Sequence, residues 1–320
     1  MNSLFIPMWS LSLFASILMT AAPQFASAED LPASSAVKIV KLLEVPNYCE
    51  GVVFDHAGNG YISHKDTITK FSLDGKSSAW AVTGAPNGHK ILADGTHLVC
   101  DASQHAMLHL DPDGKMLAPA SKECDGRPLR GPNDLSLDPQ GGFYFTDPGE
   151  SGIKNLIGTV HYVDPNGKTH LLADKLAFPN GIVLLPGGKR LLVAESQKNR
   201  ILAYPVLAPG KVGPVEVFAE LPQKEGKQVD NQPDGMCLDA AGNLYVAHYG
   251  MQQVQVLDSQ GKLIRRYPGG NLTTSNVAFG GSKMDQLFIT GGLGAESGGG
   301  GLFRIDLGVK GLVILPPAKK

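Results

Sequence analysis

Six polar residues recur along this chain, each at the head of a short apolar run: Glu50, Asn87, Asn133, Asn180, Asp234 and Asn276. Their side chains offer two carboxylates and up to four amides. Brought to one place, such an oxygen set is a hard-cation site. It suits calcium first, then magnesium or manganese, with zinc also admitted. Two negative charges would neutralise one divalent ion. The competing explanation is that Asn and Asp open these runs as turn residues beside glycine. That explanation suits Asn87 and Asn276. It does not suit Glu50, because Glu is not a turn former, so Glu50 is the most telling residue of the set.

The elements that must carry these residues repeat with them. The six segments read EGVVFDHAGNGYIS from Glu50, NGHKILADGTHLVCD from Asn87 and NDLSLDPQGGFYFTD from Asn133. They continue as NGIVLLPGGKRLLVAE from Asn180, DGMCLDAAGNLYVAH from Asp234 and NVAFGGSKMDQLFITG from Asn276. Each is a polar opener, an apolar strand, a turn and a second apolar strand. The openers are 37, 46, 47, 54 and 42 residues apart, an average of about 45, the length of a four-stranded propeller blade. Runs such as Phe143-Tyr144-Phe145 and Leu244-Tyr245-Val246 are rich in β-formers, and Ile201 to Tyr204 and Val254 to Asp258 supply third strands. The pattern predicts an all-β, six-bladed β-propeller whose openers ring one mouth of a central metal-binding channel. The segment Ala36 to Leu43 is expected to add a strand to the last blade and close the ring.

Composition agrees. The 39 Gly and 22 Pro suit a fold of many tight turns. A net charge of −2 leaves no basic face for nucleic acid or an anionic membrane. Residues 1–28 read as a signal peptide: Leu4 to Ala22 carries no acidic or basic residue, and Ala26 and Ala28 form a cleavage site. No Lys or Arg precedes that apolar stretch, so an uncleaved anchor is the alternative. Residues 29–320 are then one exported domain, periplasmic or extracellular, with a monomer favoured. Export would permit disulfides among Cys49, Cys100, Cys124 and Cys237, with Cys100 to Cys124 the more local pairing.

Together, Glu50-Gly51, Pro132-Asn133-Asp134-Leu135, Phe178-Pro179-Asn180-Gly181 and Pro233-Asp234-Gly235 resemble the senescence marker protein/gluconolactonase (regucalcin-like) family. Tyr144 to Pro148, Asn243 to His248 and Leu302 to Asp306 add to the resemblance. The resemblance implies a cation held by Glu50, Asn180 and Asp234, with Asn133 a fourth ligand or a contact through water. It also implies hydrolysis of a small-molecule lactone. Asp234 is the candidate general base on water. Asn133, Asn87, His89 and Arg130 are the expected substrate contacts. His89 is chosen over His64, His105 and His248 because it lies two residues beyond an opener. Animal-type sugar lactonases of the family carry Arg where this chain has Gly131, and Arg127 or Arg130 would have to substitute. A non-catalytic calcium-bound binding propeller and a phosphotriester hydrolase are the alternatives. Three minor features read as a flexible turn (Gly298 to Gly301), a glycosylation sequon (Asn271 to Thr273) and a lid or solvated loop (Gln223 to Gln232).

Overall fold

The computed structural model describes residues 31–223, 232–294 and 298–313. The expected signal segment and most of the stretch Gln223 to Gln232 lie outside these residues. The described chain is nearly all strand, with one 3-10 turn at Ser196–Lys198. Its strands form the six blades of a β-propeller. Each blade starts with an inner strand that carries or directly follows an opener. These strands are Cys49–Phe54, Pro86–Ile91, Leu135–Leu137, Pro179–Leu184, Gln232–Leu238 and Thr273–Gly280. The predicted β-rich runs are the second strands, such as Phe143–Asp147 and Leu244–Tyr249.

Blade 2 is the irregular one. It has three regular strands, ending with Ala106–Leu110. In the fourth place its chain makes isolated bridges, Met107 with Ser121 and Leu110 with Met116. It then forms a small hairpin, Glu123–Cys124 with Arg127–Pro128.

The ring closes as expected. Ile39–Val45 pairs antiparallel with Gly300–Asp306, so blade 6 takes its outer strand from the start of the domain. Gly300 and Gly301 belong to that pairing and are not a flexible turn. A Cβ at Gly300 would lie 2.3 Å from the Asn47 carbonyl oxygen, so closure requires the glycine. Upstream of the closing strand, Leu31 is buried in the core between blades 5 and 6, and Tyr267 donates to the Pro32 carbonyl.

Each apolar cluster lies between two adjacent blades. Tyr144, Val160 and Tyr162 of blade 3 meet Ile182, Leu191 and Val193 of blade 4, and five further clusters repeat this around the ring. Alternating strand residues thus serve two neighbours, and removing any large one costs about 2–5 kcal/mol.

The cysteines overturn the disulfide expectation. All four are buried free thiols. Cys100 packs on Met107 between blades 2 and 3, while Cys124 reaches the Thr169 carbonyl in blade 3. Asn271 is also not an open sequon: it is 1% exposed and its amide donates to Gly269.

Candidate functional site: an acidic ring at the channel mouth

The openers reach the axis because the inner strands are irregular at the same point. The ladder register shifts between Glu50 and Val52, Pro86 and His89, Pro179 and Ile182, Pro233 and Met236, and Thr274 and Asn276. A β-bulge turns one residue out of the pleat and re-aims its side chain. The glycine that follows four of the openers has a related cause. A Cβ on Gly51 would lie 2.0 Å from the Asn87 oxygen, and one on Gly181 would lie 2.2 Å from the Asp234 oxygen. One on Gly235 would lie 2.3 Å from Asn276 Cγ. The next opener thus fills the space that each glycine leaves empty.

Hydroxyl groups lock this stack from blade to blade. Ser63 donates to the Asn87 carbonyl at 2.8 Å, Thr146 to Asn180 at 2.7 Å and Ser196 to Pro233 at 2.6 Å. Ser275 donates to Cys49 at 2.7 Å, across the closure.

The structure brings Glu50, Asn180 and Asp234 together. The Asn180 amide donates to Asp234, whose carboxyl lies well above the ordinary range because it is buried and faces Glu50 and Asp134. Burial likewise pushes Glu50 up to about 8, opposed by the Tyr48 hydroxyl and reinforced by Asp134. Tyr48 donates to Glu50 Oε1 at 2.9 Å, whereas Oε2 is buried without a hydrogen-bond partner. Asn133 is half-buried beside this group, its backbone fixed by a bond to the Thr146 carbonyl at 2.9 Å. Asn87 is half-buried on the next inner strand, and Asn276 turns its side-chain oxygen onto the amide of Val277 at 2.9 Å.

Three site residues escaped sequence reasoning. Asp134 takes the place that glycine holds in blades 1, 2, 4 and 5. Its carboxylate is 2% exposed and accepts from the amide of Leu135 at 2.8 Å. Burial raises its proton affinity, and Lys90 opposes that. Lys90 also acts on Cys237 in the opposite blade, which sets its ammonium toward the axis. Tyr48 is the third. The available signals were the break in the opener–glycine rule at Asp134 and an aromatic residue two places before Glu50.

The histidine expectation is corrected. His89 is 1% exposed, lies 2.7 Å from His97 and sits against Trp80 and Tyr61 between blades 1 and 2. The bulge before it shifts the alternation, so it faces the core while Lys90 faces the channel. His64 and His248 are buried as well, bonded to Thr69 and Asn199. Arg130 is exposed, its amide held by Asp147 and its carbonyl by His105.

The donor set fits a hard divalent cation. The buried carboxylates of Asp134 and Asp234 and the half-buried Glu50 repel one another, and one buried oxygen, Glu50 Oε2, lacks any hydrogen-bond partner. Among the described residues no three His, Cys, Asp or Glu side chains form a metal cluster. The proposed ligands are instead mixed, with Asn amides completing two carboxylates. Buried charge of this kind is costly unless it is paired.

Fold and site together define a six-bladed propeller with an acidic channel mouth. Residues 50–292 match the family described as the SMP-30/gluconolactonase/LRE-like region, and the chain belongs to that family. It is 30% identical over 317 residues to a lactonase drp35 of Staphylococcus saprophyticus, covering 91% of this chain and 92% of that one. It is also 30% identical to a gluconolactonase of Zymomonas mobilis over 216 residues, 64% of this chain and 60% of that protein's length. A solved gluconolactonase structure from Xanthomonas campestris superposes with a TM-score of 0.73 at 25% identity, covering 86% of this chain and 91% of that one.

Proposed function

We propose that the protein hydrolyses a small lactone at the channel mouth, using a divalent cation, calcium first, held by Glu50, Asn180 and Asp234 with Asn133. The observation that carries this reading is the buried, unpartnered Oε2 of Glu50 beside Asp234 and Asp134. The names of the lactonase and gluconolactonase relatives support the substrate class.

A cation in this ring would offset the carboxylate charge and polarise the lactone carbonyl. The chain supplies the rest. Asp234, oriented by the Asn180 amide, takes a proton from the attacking water at its carboxylate oxygen. Water oxygen bonds to the carbonyl carbon, the ring C–O bond breaks, and the ring oxygen leaves with that proton to give an open hydroxy acid. Asn133, Asn87 and Arg130 remain the candidate substrate contacts, and His89, buried between blades 1 and 2, is not one.

The test is hydrolysis of gluconolactone, valerolactones and homoserine lactones by stripped protein, then with calcium, magnesium, manganese or zinc. Metal-restored turnover, lost by about 10²- to 10⁴-fold in Asp234→Asn, is expected. Cation binding with phosphotriester turnover alone, or with no turnover, would replace this reading by one of its alternatives.

A further inference from the structure

Tyr48 lies on the short link between the closing strand Ile39–Val45 and the inner strand Cys49–Phe54. A phenol has one proton to donate, and Tyr48 gives it to Glu50 Oε1 at 2.9 Å. The other oxygen, Oε2, is thereby left as the buried atom without a partner. The ring itself is held in place. It meets Tyr249 edge-on at 6.3 Å and 62°, and a Cβ at Gly292 would lie 3.1 Å from its Cδ2. Behind it, Ser275 clamps the Cys49 carbonyl, fixing the backbone between Tyr48 and Glu50. The hydroxyl also lies within electrostatic reach of Asp234. A tyrosine present only to fill space would turn its hydroxyl to water. Here the hydroxyl is spent on one oxygen of one ring carboxylate.

We propose that Tyr48 is a positioning residue for the cation site: its hydrogen bond to Oε1 fixes Glu50 so that Oε2 faces the cation. This rests on the cation reading above. Glutamate has three side-chain torsions to fix. The Tyr48 bond to Oε1 holds one end of that chain in place. Hydrogen bonds behind a ligand fix its orientation, and their loss typically weakens metal affinity by about 10- to 100-fold. The effect is on binding, and the hydroxyl takes no part in bond breaking.

The test compares wild type and Tyr48→Phe, which keeps the ring and removes the hydroxyl. Both proteins are stripped of metal, titrated with calcium by calorimetry, melted without metal, and assayed for lactone turnover at saturating calcium. The expected result is a calcium Kd weaker by about 10- to 100-fold, a stripped protein that still folds cooperatively with a melting point lowered by the loss of one hydrogen bond, and kcat restored by excess calcium. Equal Kd values would overturn the proposal and leave the cation reading standing. A kcat that stays low at saturating calcium would place the hydroxyl on the substrate instead and overturn the positioning role. A stripped Y48F protein that does not fold would make the bond structural and overturn that role as well. Wild type that binds none of the four cations would remove the cation reading and this proposal together.

Discussion

Gly181→Ala separates the packing argument from the chemistry, because it changes no polar group. The added Cβ would lie 2.2 Å from the Asp234 carbonyl oxygen, and real contacts essentially never fall under 3.0 Å, so at least 0.8 Å must be gained. The obstacle is backbone on an inner strand, locked by Ser196 to the Pro233 carbonyl, so it has little freedom to retreat. Overpacking of this kind costs about 1–3 kcal/mol, a fall in Tm of roughly 2–12 °C for a domain near this size. The displaced residue is Asp234 itself. A misplacement approaching 1 Å costs on the order of 10²-fold in rate, about 2.7 kcal/mol of transition-state stabilisation. Gly213→Ala is the comparison, since its Cβ would meet only ordinary contacts from 3.5 Å outward. Lactone kcat/KM and thermal melting are the two readouts. If G181A kept kcat/KM within twofold of G213A, blade packing would not be what places Asp234.

Metal-stripped protein should lose stability as pH rises. The raised Glu50 carboxyl stays protonated in the fold while the unfolded chain ionises near its ordinary 4.5. Stability is therefore full below 4.5 and declines as pH climbs toward about 8. Calcium, by pairing the ionised form, should raise Tm more at the alkaline end of that window; a calcium shift that is flat with pH would contradict this. His89→Asn should lower stability by about 1–3 kcal/mol through its buried bond to His97. It should leave KM for lactone unchanged, and a raised KM would return His89 to the substrate site. If residues 1–28 direct export, N-terminal sequencing of the protein recovered outside the cytoplasm should begin at Glu29, and an intact Met1 would contradict cleavage.

The fold was legible because a propeller writes the same instruction six times. The six openers, Glu50, Asn180 and Asp234 among them, could be put around one axis without any structure, since symmetry makes their positions equivalent; the family resemblance, not the repeat, singled out those three with Asn133. What departs from the repeat was not legible. Asp134 occupies a glycine position and so carried no weight as an opener, although its carboxylate is as buried as Asp234. His89 was misplaced by counting two residues from Asn87, a step that holds only while strand alternation is unbroken. The register shift between Pro86 and His89 breaks it and gives the channel to Lys90. The disulfide expectation failed for a different reason. Cys100 and Cys124 are near in sequence, but each is absorbed into a different packing contact around blades 2 and 3.

Ring closure and the site are mechanically one feature. The strand that closes the propeller ends at Val45, and Glu50 follows five residues later with Tyr48 between them. Ser275 of the last blade holds the Cys49 carbonyl of the first, so the seam passes directly behind the Glu50 carboxylate. If Glu50 in blade 1 and Asp234 in blade 5 are the proposed oxygen ligands, one on each side of that seam, a cation bound to both would bridge around blade 6. Ligand that binds only the folded state stabilises it by RT ln(1 + [L]/Kd), about 2.7 kcal/mol at one hundred times Kd. In the proposed site that stabilisation would fall on the seam, where blade 6 depends on a strand from the opposite end of the sequence. On the proposed reading the acidic ring has two consequences from one cause: the carboxylate repulsion that would weaken the metal-free fold would also make a bound cation a clasp on the propeller.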